Sequence, residues 1–566
     1  MNTFKRLYLL GLTSIAAFSA CNSDFLDVVP TDRVSDAAIL SDSVLFESFV
    51  INRYMGVRLT DKEAEGTPPG FGRGFEYALW GSLTDEAVYN NDDNTWVIQR
   101  GQLSPENTGI AGTFWKRSYR SIRECNYALA NIDQVPMSEE HKNQLIAELK
   151  FIRAFRYQDL IRNYGGVPLL GDKVYQLDDD MSDPELFERQ DLQTCIAYAL
   201  GQLDEAIAGL PSDNNSSWQP GRATVGAALA LKSRLTLYAA SPLYNVGSWQ
   251  DAVDAAVAVI NLNKYSISPN GYRELFRTTT SDDEIIFARY YSSGGHHVAM
   301  EIANGPNGYG GWAGNVPLQN LVDDYQMANG KNIDDAGSGY DPQHPYENRD
   351  PRFYATIFYN GSPYRGRPIE TFVPGGRDSR DGADNWNTSR TGYYLRKFID
   401  EEMPITNPWN IAGLQPWIYF RYAEILLNFA EAANEVVGPD AVPAGATFSA
   451  RDAVNQIRAR AGVEMPPIPA GLGADEFREM VRLERRIELA FEEHRFYDVR
   501  RWLIADETEN VPAYGIEITR NDDGTFTYKR KVALEGRQFL AQHYWLPIPR
   551  EEILASNNQL EQNPNY

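Results

Sequence analysis

Apolar positions in this chain recur at two different periods, and the change between them divides the sequence. Steps of three and four residues run through "GTFWKRSYRSIRECNYALANID" (112–133) and "SEEHKNQLIAELKFIRAFRYQDLIRNYGG" (138–166). The second segment opens on a serine followed by acids and closes on Gly165-Gly166, a start and a stop signal for one helix. The same period returns at 191–209, 222–241 and 249–263, and again at 417–437, 449–461 and 474–504. A weaker helical pattern covers 36–60. Helices spaced every thirty to forty residues predict stacked two-helix hairpins, although no consensus repeat recurs in the letters.

Between about 264 and 415 the period is lost. Gly, Pro, Asn and aromatic residues dominate, and short runs such as "DEIIFARYY" and "RFYATIFYN" look like strands. An irregular segment this long inside a compact domain is usually functional. The loop 61–112 has a similar character, with Phe71, Phe75, Tyr77, Trp80, Tyr89 and Trp96 arriving without core spacing. The closing segment, "HYWLPIPREEILASNNQLEQNPNY", is broken by proline and is expected to pack back on the helices. The pattern therefore predicts a mainly α fold. A helix-pair scaffold spans about 36–263 and 416–566, with a loop-rich insert over about 264–415 carrying short strands, all in one domain (36–566).

The N-terminus changes the picture of where the protein resides. Lys5 and Arg6 precede the short apolar run "LYLLGLTSIAAF", and "FSAC" places small residues before Cys21. This is a secretory signal over residues 1–20, too short for a stable span. A cysteine directly after Ser-Ala resembles a bacterial lipobox, which makes Cys21 the lipidation site and 21–35 an extended tether. No other stretch is long and apolar enough to cross a bilayer. Cys125 and Cys195 lie in apolar helical patterns and read as buried thiols.

Composition sets limits on partners. The chain has 566 residues, 53 Lys and Arg against 77 Asp and Glu, a formal charge of −24, and 12% aromatic residues. That balance opposes nucleic acid, whose binding needs a basic surface.

Candidate chemistry concentrates in "RLERRIELAFEEHRFYDVRRW" (482–502). Its apolar positions Met480, Leu483, Ile487, Ala490 and Phe491 mark one buried stripe that His494 continues. Glu484, Glu488 and Glu492 form a like-charged i, i+4 row, which needs cations to be tolerated. The neighbouring arginines 482, 485, 486, 495, 500 and 501 can supply them. None of the six histidines (141, 296, 297, 344, 494 and 543) has a partner at metal-binding spacing, and Phe491 stands where a di-iron motif needs Glu. No nucleophile elbow, Walker loop or dinucleotide fingerprint occurs. "NNDDNTW" (90–96) suggests calcium but lacks the glycine and closing glutamate of a calcium loop. No cofactor and no catalytic residue is predicted. A glycosidase needs two carboxylates, and 77 acids leave that alternative open.

Several stretches together resemble the SusD/RagB family of outer-membrane lipoproteins of Bacteroidota. They are "CNSDFLDVVPTDRVSD", "AELKFIRAFRYQDLIRNYGGVPLL", "NRDPRFYATIFYNG", "FRYAEILLNFAEAANE", the 482–502 run and the closing "WLPIPREEILASNNQLEQNPNY". The resemblance implies a tetratricopeptide-like scaffold and a non-enzymatic role. It implies a lipid-anchored protein on the outer face of the outer membrane that binds a glycan and delivers it to a SusC-like TonB-dependent transporter. Peptide binding, as in RagB-like members, is the alternative. By position in the family's ligand-binding loops, Trp96, Tyr290 and Trp312 would form the stacking arc, with Tyr291 and Tyr309 beside it and Gln99 and Arg100 as polar partners.

Overall fold

The structure is a computed structural model that describes residues 36–55, 75, 77–176, 179–180, 183, 186–403 and 412–566. Cys21 and the signal segment lie outside the described residues.

After a short helix Asp36–Ser41 comes α1 (Ser43–Ile51), capped by Asp42, whose carboxylate accepts from the Val44 and Leu45 amides. Next come strand β1 (Ala87–Tyr89) and helices α2 (Phe114–Asn131) and α3 (Glu139–Tyr164). Ser138 caps α3 by accepting from His141 N, Glu139 and Glu140 occupy its first turn, and Gly165 ends it at φ 77°. Helices α4 (Leu192–Gly209), α5 (Val225–Ala240) and α6 (Trp249–Ile260) follow. Each of these packs on its predecessor. The stack then continues from α6 directly to α7 (Tyr422–Val437), which in turn packs on α8 (Ala450–Arg458) and α9 (Ala474–Glu488). The insert is therefore an excursion from a continuous helical pile, and one apolar core runs through both.

The insert contributes β2 (Ile285–Arg289) and β3 (Asn315–Pro317), and β4 (Trp417–Arg421) leads into α7. All described sheets are two-stranded. β2 pairs with β4, and β1 pairs with β3 in the register Ala87↔Pro317 and Tyr89↔Asn315. The β1–β3 ladder ties the early aromatic loop to the insert. After α10 (Arg495–Arg501), the hairpin β5 (Ala513–Arg520) and β6 (Phe526–Leu534) leads to the tail. The tail returns to the end of α3: Leu546 N donates to Asn163 O at 2.7 Å, and Asn563 Nδ2 donates to Tyr164 O at 3.1 Å.

Three local expectations change. Residues 417–421 form β4, and the helix starts at Tyr422; "WIYFR" is rich in strand formers and buried on both faces, which periodicity alone cannot distinguish from a helix. "RFYATIFYN" contains a helix, Pro351–Thr356, before a two-residue strand. Asp350 caps it and Pro351 opens it, a start signal stronger than the β-propensity that follows. The 474–504 helix is two helices, broken where Phe491 and Glu493 adopt φ of 63° and 70°.

That break organises the charged run. Glu484, Glu488 and Glu492 are buried and met by cations from elsewhere in the chain. Arg352 and Arg458 reach Glu484; Arg352, Arg421 and Arg460 reach Glu488; Arg421 and Lys397 reach Glu492. Most of the neighbouring arginines expected to neutralise the row are buried too, but pair with other acids instead. Arg485 pairs with Asp498, Arg486 and Arg495 with Asp85, and Arg501 with Asp498 and Glu431. His494 is buried, its Nδ1 3.3 Å from the Arg485 guanidinium, and burial among arginines holds its imidazole neutral, far below its ordinary pKa. The run is framework. Cys125 and Cys195 are buried free thiols.

Candidate ligand-binding surface

β1 ends in a turn that few sequences could form. Asp92, Asp93 and Asn94 have φ of 70°, 45° and 62°, three successive left-handed residues. Asn and Asp are the non-glycine residues that tolerate this region best. The Asp92 carboxylate accepts from Trp96 N at 2.9 Å and starts the short helix Trp96–Gln99. The side chains expected to suggest calcium diverge: Asn94 bonds Asn107, while Asp93 bonds the Tyr89 phenol. Among the described residues no three His, Cys, Asp or Glu side chains converge on a metal position.

The turn delivers Trp96 half-buried against β1, its indole N–H donating to Tyr89 O at 2.9 Å. Two guanidiniums lie over the ring, Arg100 at 4.9 Å and Arg390 at 4.3 Å from the centroid. Arg390 is held by Asn90, whose carbonyl accepts from its Nε at 2.8 Å and whose side chain accepts from its backbone N–H at 3.0 Å. Arg100 Nε donates to Glu535 O at 3.1 Å. Trp96 thus serves as a mount for two cations. Gln99 is turned inward, only 3% exposed, and its amide donates to the Thr84 and Ala87 carbonyls.

Trp312 stacks on Tyr77, with centroids 6.3 Å apart and planes at 30°. Asn315 on β3 secures this pair, donating to Tyr77 O and accepting from Leu79 N, both at 2.9 Å. The chain enters Trp312 through Gly311, where a β-carbon would lie 2.1 Å from the Gly305 carbonyl oxygen, so only glycine fits. Tyr77 remains 45% exposed.

The other predicted tyrosines are engaged locally. Tyr309 donates its hydroxyl to Tyr364 O at 2.7 Å and carries Arg367 over its ring at 4.0 Å, a guanidinium already paired with Asp378. Tyr290 and Tyr291 diverge at the end of β2. Tyr291 meets His297 edge-on at 4.7 Å, beside Phe75; Tyr290 packs beside Gly221, and burial pushes its phenol up to about 12. Burial likewise lowers the His297 imidazole to about 4. Trp96 and Trp312 are therefore joined through β1 and β3, whereas Tyr290 packs beside Gly221.

Two further aromatics belong to this surface. Tyr77 was visible only as one of several loop aromatics. Trp386 is 72% exposed, on a short turn fixed by Asn307 bonding Ala383 O and Asn90 bonding Thr388 O. Its signal was its isolation in the polar run "DGADNWNTS", with no apolar neighbour to share a core. A cavity of about 230 Å³ lined by Tyr272, Arg273 and Arg352 shares no residue with these aromatics. Its Arg352 is consumed by Asp350, Glu484 and Glu488. An open aromatic surface suits a polymer better than an enclosed small molecule.

A family model described as the SusD family matches residues 280–566, just over half of the chain. The chain belongs to the SusD family. A second family model, described as starch-binding and associating with the outer membrane, matches residues 24–237. SusD-like protein P2 of Formosa agariphila is 26% identical over 513 residues, 86% of this chain and 87% of that protein. A crystal structure of a SusD-like protein from Bacteroides fragilis is 30% identical with a TM-score of 0.76, covering 95% of this chain and 100% of that one. A SusD-like carbohydrate binding protein from the same species is 26% identical with a TM-score of 0.75, covering 91% and 99%. The mainly α, tetratricopeptide-like architecture expected for the SusD family is the one observed.

Proposed function

We propose that this SusD-family member is a non-catalytic glycan-binding lipoprotein. It is anchored by lipid on Cys21 at the outer face of the outer membrane and passes captured glycan to a SusC-like TonB-dependent transporter. The observation that carries the binding part is the Tyr77–Trp312 stack, whose Tyr77 is 45% exposed, together with the exposed Trp386 on a turn tied to Asn90 and Asn307. Sugar rings present apolar C–H faces that pack on aromatic rings, while their hydroxyls bond polar neighbours. The carbohydrate-binding relative and the starch-binding family description support the ligand class. The transporter partner and the lipid anchor rest on family membership and on the lipobox. The non-catalytic part is supported by the engagement of the 482–502 acids as framework ion pairs.

Calorimetry against a panel of oligosaccharides and peptides tests this. Tyr77→Ala and Trp312→Ala should each weaken glycan binding by ~1–3 kcal/mol, as loss of an aromatic anchor does, with unchanged melting temperature. Saturable peptide binding without any sugar response would replace the glycan with a peptide. Product formation from a panel sugar would turn the reading to a hydrolase.

A further inference from the structure

Arg100 and Arg390 differ from the arginines around them. In a chain with 77 acids, many buried guanidiniums meet carboxylates, as Arg421 meets Glu284, Glu488 and Glu492, while others such as Arg349 and Arg500 are filled by backbone carbonyls. Arg100 and Arg390 instead converge on one indole and bond only backbone or amide oxygens, at Glu535 and Asn90. Among the described residues neither makes an ion pair, and the terminal nitrogens of both make no hydrogen bond. Burial, and then the charge of Arg100, lower the Arg390 pKa, with Asp92 opposing. Asp92 itself is occupied by Trp96 N, and burial beside Asp92 raises the neighbouring Asp93 carboxyl toward its neutral form.

Two like charges mounted on one indole repel each other, and an anion bound to both would offset that cost. Guanidinium forks match carboxylate and sulfate geometry. The pair stands at the edge of the aromatic surface, because Trp96 rests on Tyr89, and β1 places Tyr89 opposite Asn315, the residue that holds Tyr77. The overall charge of −24 repels polyanions at long range, but salt screens that beyond about 10 Å.

We propose that the glycan is anionic, with a carboxylate or sulfate group received by Arg100 and Arg390 beside the Tyr77–Trp312 stack. This rests on the glycan reading above. The test compares matched pairs by calorimetry at low salt: polygalacturonate with its methyl ester, and dextran sulfate with dextran. The charged member of at least one pair should bind about tenfold more tightly, and which pair responds identifies the anion. The preference should vanish in the Arg100→Met/Arg390→Met double variant and weaken with added NaCl, while the melting temperature holds. Equal binding within both pairs, or a preference that survives in the double variant, overturns the inference. If neutral glycans of the panel bind and neither charged polymer does, this inference fails alone. If no glycan of any kind binds, the glycan reading fails with it.

Discussion

Trp96 and Trp312 are both half-buried tryptophans in irregular segments, and their neighbours give them different roles. Trp312 shares its face with Tyr77, while Trp96 supports two guanidiniums. Sequence placed both in irregular segments but could not assign these roles, because Arg390 lies almost three hundred residues from Trp96 and comes to it through Asn90. Gln99 shows the same limit, since neighbours in sequence alternate between solvent and core. Another residue-scale consequence concerns Glu86, buried at the end of the loop preceding β1. Burial raises its carboxyl to about 8 against the opposing charge of Arg486. An unfolded glutamate titrates near ~4.3, so between that value and about 8 the folded protein keeps a proton that the unfolded chain releases. Stability from this group is full at low pH and is lost as pH rises through that window. Glu86→Gln has no such titration. Its melting temperature relative to wild type should therefore rise from pH 5 to pH 8; a constant difference would show that Glu86 is ionised in the fold.

At the scale of elements, end signals located the helices well. Ser138, Asp191, Ser248 and Ser449 each cap a scaffold helix, and Gly165 and Gly438 end two of them. Two changes fell where such signals are missing, at 417–421 and at the break after Glu488, whereas at Pro351–Thr356 the Asp350 cap overrode strand propensity. That break exists because Glu488 and Glu492 turn inward to cations from other elements. Burial alone would raise Glu488, but Arg460, Arg421 and Arg352 outweigh it and hold the carboxyl well below the usual range. Arg421 bridges three carboxylates at 2.6–2.7 Å. Arg421→Met should cost about 3–5 kcal/mol, since it strands buried charge. Denaturant unfolding measures this; a loss under about 1 kcal/mol would mean that Arg460, Arg352 and Lys397 suffice without it.

For the whole molecule, α6 packing on α7 closes the helical stack across the insert, so the insert can vary while the pile stays intact. Its own aromatics are mostly spent on its core, as Phe353 shows by stacking with Tyr346 and Tyr359. Those near β1 and β3 are left for the surface. Attachment is a separate matter at this scale: Cys21→Ser should abolish metabolic labelling with palmitate and move the protein out of the membrane fraction, and retained labelling would refute the lipidation site. The sequence by itself determined the helix-pair scaffold, the family resemblance and the lack of metal-binding histidine spacing, because capping and periodicity act over a few residues. Tertiary structure alone decided which aromatics are exposed, which arginines meet the glutamate row and which two share the Trp96 ring. Those outcomes depend on groups far apart in the chain, and burial, packing and charge compensation are settled only when the fold brings them together.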